Sequence, residues 1–267
     1  MDKLFIVQSE LDNSDTDGYI IRKLLKRYTP ITCDKWCECS SSDGYIQDYR
    51  GRGEIVPIGD IPFVELFLPD GYHISPIEIP ECLRKYAGRL YGITDGYAIL
   101  REANTVDFDK FFIKDASRLK SWNNLLYEGA DISGFIIPEH KYVVSDRVNF
   151  LSEYRVFVLN DEVVGSPYYM GDPAVFPNGE TVKAMVKDYK QDPHRPMAYT
   201  IDVGVIETEK NGYKYEQTVP IEVHPFVACG LYGIEDMSLL KMYELGWDWC
   251  KKNCQKDLAE SAREGGA

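Results

Sequence analysis

Short apolar runs alternate along the chain with a few longer segments of helical period. "KLFIVQSE" is a continuous apolar run of strand length, and "DGYIIRKLLKRY" after it sets Ile20, Ile21, Leu24 and Leu25 on one helical face. "CDKWCECSSSDGY" and "YRGRGEIVPIGDIPFVELFL" then supply turns and short apolar runs that predict further strands. Strand, helix and strands in that order open an α/β unit. "IPECLRKYAGRLYG" reads as a helix opened by Pro80 and closed near Gly88 or Gly92.

Downstream the pattern changes to strands that each carry a single charge. "FFIKD" is a strand, "SRLKSWNNLLYEG" a short helix and "KYVVSDRV" another strand. "SEYRVFVLNDEVVGSPYY" folds back on itself at Asn160 and Asp161, and "AYTIDVGVIETEKNGYKYEQTVPIEVHPF" does so at Asn211-Gly212. Between these hairpins lies a polar, proline-bearing stretch. "SLLKMYELGWDWCKKNC" closes the pattern as an amphipathic helix, where Trp247 and Trp249 serve packing or an interface. The expected division is an N-terminal α/β domain over 1–100, a second module over 101–255 and a frayed tail over 256–267.

Composition narrows the function. The 267 residues are 44% hydrophobic and hold seven cysteines, an odd number that fits reduced thiols. No run reaches the roughly 20 apolar residues of a membrane span, and the opening lacks a secretory pattern, so the expectation is a cytoplasmic protein with no membrane partner. A net charge of −13 speaks against a surface for nucleic acid. It leaves room for a local basic pocket.

Chemistry concentrates where apolar strands carry charge. In "TVPIEVHPF", Glu222 and His224 share the face opposite Ile221 and Val223. A two-residue turn at Asn211-Gly212 would pair Lys210 with Tyr213 and put Asp202 opposite Ile221, on the other face from Glu222. A three-residue loop, Lys210-Asn211-Gly212, pairs Asp202 with Pro220 and makes Asp202 and Glu222 diagonal neighbours about 7–8 Å apart. On the second register two carboxylates reach one point, where oxygen ligands suit magnesium. Lys114 beside Phe112, and Glu153 and Arg155 beside Phe157, repeat the pattern with cations that call for an anion such as polyphosphate. Singly, each also reads as a solvated strand charge, and His224 as an ordinary satisfied histidine. No "GxxxxGK[ST]" loop and no dinucleotide glycine fingerprint is present.

Taken together, "FFIKDASRLKSW", "SEYRVFVLNDEVVG", "YTIDVGV" and "PIEVHPFVACGLYG" resemble the ATP-grasp superfamily, in particular an amidoligase-like clade named for its Arg and two Lys. The resemblance covers roughly 80–240. It implies an ATP-grasp fold, α/β (α+β), of two subdomains preceded by a small N-terminal α/β domain. It further implies that Lys114 and Lys120 contact nucleotide phosphates, Arg155 the transferring phosphate, and Asp202 and Glu222 magnesium. Lys114 and Arg155 would be the catalytic pair, with Glu153 joining the nucleotide set. Ser145, Asp146, Arg147 and Val148 lie where such proteins line adenine, and Gly129 and Gly134 lie in an expected cover loop. The family commonly has Asn where this chain has His224, so either His224 touches phosphate or substrate, or it binds metal and shifts the preference, for example toward Mn2+. The implied activity is ligation of a small-molecule or peptide carboxylate to an amine through an acyl phosphate. A nucleotide-binding regulatory protein and a kinase-like phosphotransferase stay open beside it, as does a homodimer. Two weaker candidates complete the reading: zinc at Cys33, Cys37 and Cys39 or at Cys250 and Cys254, and a substrate carboxylate at Arg195 in "PHRP".

Overall fold

In the computed structural model, residues 3–11, 16–28, 36–42, 44, 46–49, 55–102, 105, 107–126 and 131–256 are described. β1 (Leu4–Gln8), α1 (Thr16–Tyr28), β2 (Trp36–Cys39), α2 (Ile46–Tyr49) and β3 (Ile55–Ile58) form the first unit. Its parallel sheet runs β2-β1-β3, as expected when a helix crosses between parallel strands. α3 (Ile61–Glu65) starts at Asp60, whose carboxylate accepts the Phe63 N–H at 2.8 Å. β4 (Tyr72–His73) follows.

A second sheet is antiparallel, in the order β5-β7-β6, built from β5 (Tyr91–Asp95), β6 (Phe111–Asp115) and β7 (Lys141–Asp146), with α4 (Gly96–Glu102) after β5. Ile99, Ile113, Ile132, Ile136 and Tyr142 make its core. β5, assigned by sequence to a domain ending at residue 100, thus hydrogen-bonds within the sheet of the second module.

The third sheet joins β8 (Phe150–Leu159), β9 (Glu162–Gly165), β10 (Tyr168–Gly171), β11 (Ala198–Lys210) and β12 (Tyr213–Pro225), with α5 (Gly179–Tyr189) before β11. Tyr154, Val156, Ile201, Val203 and Val223 point from one face onto α5, through Val182, Met185 and Tyr189. α6 (Ser238–Asn253) then returns to the first unit, where Leu239, Met242 and Trp247 pack with Phe5, Ile6 and Leu25. β13 (Gln255–Lys256) pairs with β4. Among the described residues no helix is long and apolar enough to cross a membrane.

Four expectations need correction. The last hairpin turns on two residues, not three: Lys210 pairs with Tyr213, and Asn211 and Gly212 both have positive φ, 55° and 81°. That register holds to Val203 opposite Pro220, and then a bulge at Ile221 shifts it so that Asp202 lies directly opposite Glu222. Proline has no N–H for the ladder, which is why the pairing slips beside Pro220. The described part of "SRLKSWNNLLYEG", residues 117–126, is not an α-helix. Asn124 knits it along the edge of β6 by accepting from Ile113 N–H at 3.0 Å and donating to Phe111 O at 3.0 Å, and Lys120 sits at φ 54°. The segment after Pro80 forms a 3-10 turn over Glu81–Tyr86 that stops at Gly88, φ 64°. The proline-bearing stretch contains α5, capped by Asn178 accepting from Thr181 N–H at 2.9 Å.

Arg195 forks onto Asp161 at 2.7 Å through both nitrogens, which occupies it within the chain. Cys250 is buried among apolar side chains, and no cysteine joins a metal-ligating group among the described residues. Cys33, Gly129 and residues 257–267 lie outside the described residues.

Candidate active site

A cavity of about 660 Å3 opens between the second and third sheets. Tyr91, Phe112, Lys114, Val143 and Ser145 line it from one sheet, and Phe150, Glu153, Ile221 and Glu222 from the other. On β6 and β7 alternation selects these residues, the opposite face being committed to a hydrophobic core, whereas on β12 the irregular register brings the consecutive residues Ile221 and Glu222 to the same cavity. Gly204 leaves room for the Phe150 ring, which a Cβ there would meet at 2.2 Å.

Across the third sheet the charged residues form a row. Arg155 pairs with Asp202, and Asp202 with Glu222, on neighbouring strands. The Arg155 guanidinium grips Asp202 at two points, 2.8 and 2.7 Å, and donates to Gly230 O at 3.2 Å. Tyr232 lies 5.0 Å from that guanidinium and stacks on Tyr169, ring centres 4.8 Å apart. Tyr169 donates to Glu153 at 2.7 Å. His224 is buried and bonds Glu222 through Nε2.

Lys114 reaches this row from the second sheet. Its ammonium lies 2.5 Å from Glu222 and 2.9 Å from Glu78, both largely buried pairs. Burial alone would push the Glu222 carboxyl up, yet the His224 imidazole and the Lys114 ammonium outweigh it and hold Glu222 well below the usual range. Burial moves Glu78 the other way, above the ordinary value, with Lys114 only partly offsetting it. Burial likewise raises Glu153, helped by the charges of Asp202 and Glu222. For Lys114 burial is the largest effect and acts to lower it, but the two carboxylates raise it overall.

The remaining expected residues fall around the cavity. Lys120 lines it and donates to Ala228 O at 3.1 Å. Ser145, Asp146, Arg147 and Val148 form one end. There the Asp146 carboxylate accepts from Leu90 N–H at 2.9 Å and Arg147 donates to Phe111 O at 3.0 Å, so both side chains brace the wall. Arg155, Asp202 and His224 adjoin the cavity through Glu222.

Asp202, Glu222 and His224 each offer a ligand atom within 4.8 Å of the others. Two carboxylates and an imidazole meeting at one point are a donor set that suits a divalent cation, and Lys114 and Arg155, which neutralise those carboxylates in this arrangement, would have to yield oxygens to it. Glu78, Tyr169 and Tyr232 were not among the residues expected from the sequence. Glu78 carried a signal, as the lone charge between Ile77 and Ile79 in "SPIEIPE". The tyrosines carried none.

A family model matches residues 96–242; it describes an ATP-grasp domain, family 2 of the clade named for one Arg and two Lys. Among solved structures, the chain is similar to the ATP-grasp ligase PsnB complexed with minimal precursor, at 11% identity and a TM-score of 0.47, covering 91% of this chain and 99% of that one. It is similar to N5-carboxyaminoimidazole synthase from Aspergillus clavatus, at 9% identity and 0.47, covering 94% and 77%. It is also similar to D-alanine–D-alanine ligase from Bacillus anthracis, at 10% identity and 0.44, covering 93% and 99%. No curated protein matches.

Proposed function

The chain belongs to the ATP-grasp family, in the second family of the clade named for one Arg and two Lys, and from that membership we propose that it is an ATP-dependent ligase joining a carboxylate to an amine through an acyl phosphate. The observation that carries the proposal is the meeting of Lys114, from one sheet, with the Arg155–Asp202–Glu222 row of the other at the rim of a nucleotide-sized cavity.

The wall at Ser145 to Val148 would take the base of ATP, with main-chain groups there as hydrogen-bonding partners. Lys114 and Lys120 would bind phosphate oxygens as point charges, and Arg155, whose fork rests on Asp202, would turn it to the transferring phosphate as Asp202 takes the cation. Asp202 and Glu222 hold Mg2+, with His224 as the third ligand candidate and Mn2+ as an alternative cation. The bound cation supplies charge neutralisation on the phosphates. A carboxylate oxygen of the acid attacks the γ-phosphorus in line, the bond to the β,γ-bridging oxygen breaks, and ADP departs. The amine then attacks the acyl carbon, phosphate leaves, and the nitrogen sheds its proton. The residues position and neutralise rather than attack, so the reaction needs no nucleophilic Ser or Cys.

The test is ADP release measured against panels of amino acids and peptides, with mass spectrometry of the products. Release that requires both an acid and an amine, lost in Asp202→Asn and Glu222→Gln, supports the ligase. A stable phosphorylated product identifies a phosphotransferase instead, and tight ATP binding without turnover a regulatory protein.

A further inference from the structure

Glu78 lies outside the residues matched by the family model, in the connection between β4 and the 3-10 turn at Glu81. Its backbone adopts φ 62°, a left-handed conformation that side chains with a Cβ disfavour. Neighbouring bonds hold it there: Val223 N–H donates to Glu78 O at 2.9 Å, and Ile79 N–H donates to the Tyr91 hydroxyl at 3.1 Å. The residue is 4% exposed, and both carboxylate oxygens lie within 3.1 Å of the Lys114 ammonium. A backbone fixed to β12 next to Glu222 thus aims a second carboxylate at a lysine that Glu222 already binds.

Two carboxylates on one buried ammonium are more than static neutrality requires. They are what an exchange requires. When Glu222 turns to a divalent cation, Lys114 loses that partner, and a bare buried ammonium is costly. We infer that Glu78 is a positioning residue that keeps Lys114 when the cation takes Glu222, so that Lys114 stands in for the cation in the empty site and stays aimed at phosphate in the loaded one. The inference rests on the proposed metal and nucleotide roles of Asp202, Glu222 and Lys114. Its consequence is coupling: the cation binds poorly alone and well with nucleotide, whose phosphates draw Lys114 away.

Calorimetric titration with Mn2+, with and without ADP, tests this on the full chain, with melting curves read alongside. Wild type is expected to bind Mn2+ weakly alone and more tightly with ADP. Without ADP, Glu78→Gln leaves Lys114 only Glu222, so Mn2+ affinity falls about tenfold, the size expected for one charged hydrogen bond, and it falls less with ADP, whose phosphates give Lys114 a partner. Glu78→Asp, which keeps the charge, recovers part of it. The double variant K114M/E78Q preserves net charge and removes both stand-in and tether. It is expected to bind Mn2+ without ADP about tenfold more tightly than wild type by the same measure, whereas a general field effect predicts no change. An unchanged Glu78→Gln, or a double variant no tighter than wild type, overturns the inference while leaving the ligase reading intact. Wild type that binds no Mn2+ even with ADP overturns the metal assignment and the inference with it.

Discussion

Arg155 and Asp202 face each other across β8 and β11 in a buried two-point contact that lysine cannot reproduce. Arg155→Lys keeps the charge and loses the fork, so urea unfolding should show a loss of about 1–3 kcal/mol, the cost of an imperfectly satisfied buried group. Far from the cavity, the Glu10 carboxyl is held down at about 2, first by the Ser40 hydroxyl and then by the Ser41 N–H. Its folded value lies below the ordinary 4.5, so its stabilisation is complete above that pH and fades as pH falls toward 2. Glu10→Gln should therefore melt below wild type at neutral pH, and the two should converge in acid. At this scale the sequence was most legible where a charge interrupts an apolar alternation, as at Lys114, Arg155, Asp202 and Glu222. Glu78 escaped because its position depends on a left-handed backbone and on a lysine that only tertiary folding brings to it.

The hairpin of β11 and β12 shows how an element can satisfy two registers. Its tip obeys the Asn-Gly turn, while its far end obeys the bulge at Ile221, which restores Glu222 to the face of Asp202. Periodicity alone places the two carboxylates on one face only by lengthening the turn, because a bulge leaves no periodic trace beyond the neighbouring proline. α5 was hidden for a different reason: its apolar stripe of Val182, Met185, Val186 and Tyr189 is broken by charges and lies in polar surroundings. α6 was legible from its stripe, but its docking was not. Gly246 lies against the Phe226 carbonyl, and a Cβ would meet that oxygen at 2.0 Å. Gly246→Ala is expected to lower stability by about 1–3 kcal/mol in chemical denaturation, the usual cost of overpacking, although alanine is the better helix former.

Over the whole molecule, the order of elements in the chain and their grouping in space diverge. α6 supplies Leu239, Leu240, Met242, Tyr243 and Trp247 to the core begun by Phe5, Ile6 and Leu24, and Phe157 of the third sheet and Phe226, just past the end of β12, join the same cluster. A division drawn along the sequence could not show this, since the contacts span most of the chain. A version ending before Ser238 should lose native structure in the first unit as well as at its own end. Circular dichroism and limited proteolysis would register that loss, and a truncated chain that keeps a protease-resistant first unit would contradict it.

The return of α6 also bears on how the protein is made. The first sheet leaves the ribosome early, yet the helix that covers it follows only after the other two sheets. At usual elongation rates the interval from Leu68 to Leu239 is on the order of 10–30 s. During that time the apolar surface of β1 and β3 waits in the nascent chain for its cover, a window in which chaperone binding or a pause in translation would decide the yield of folded protein.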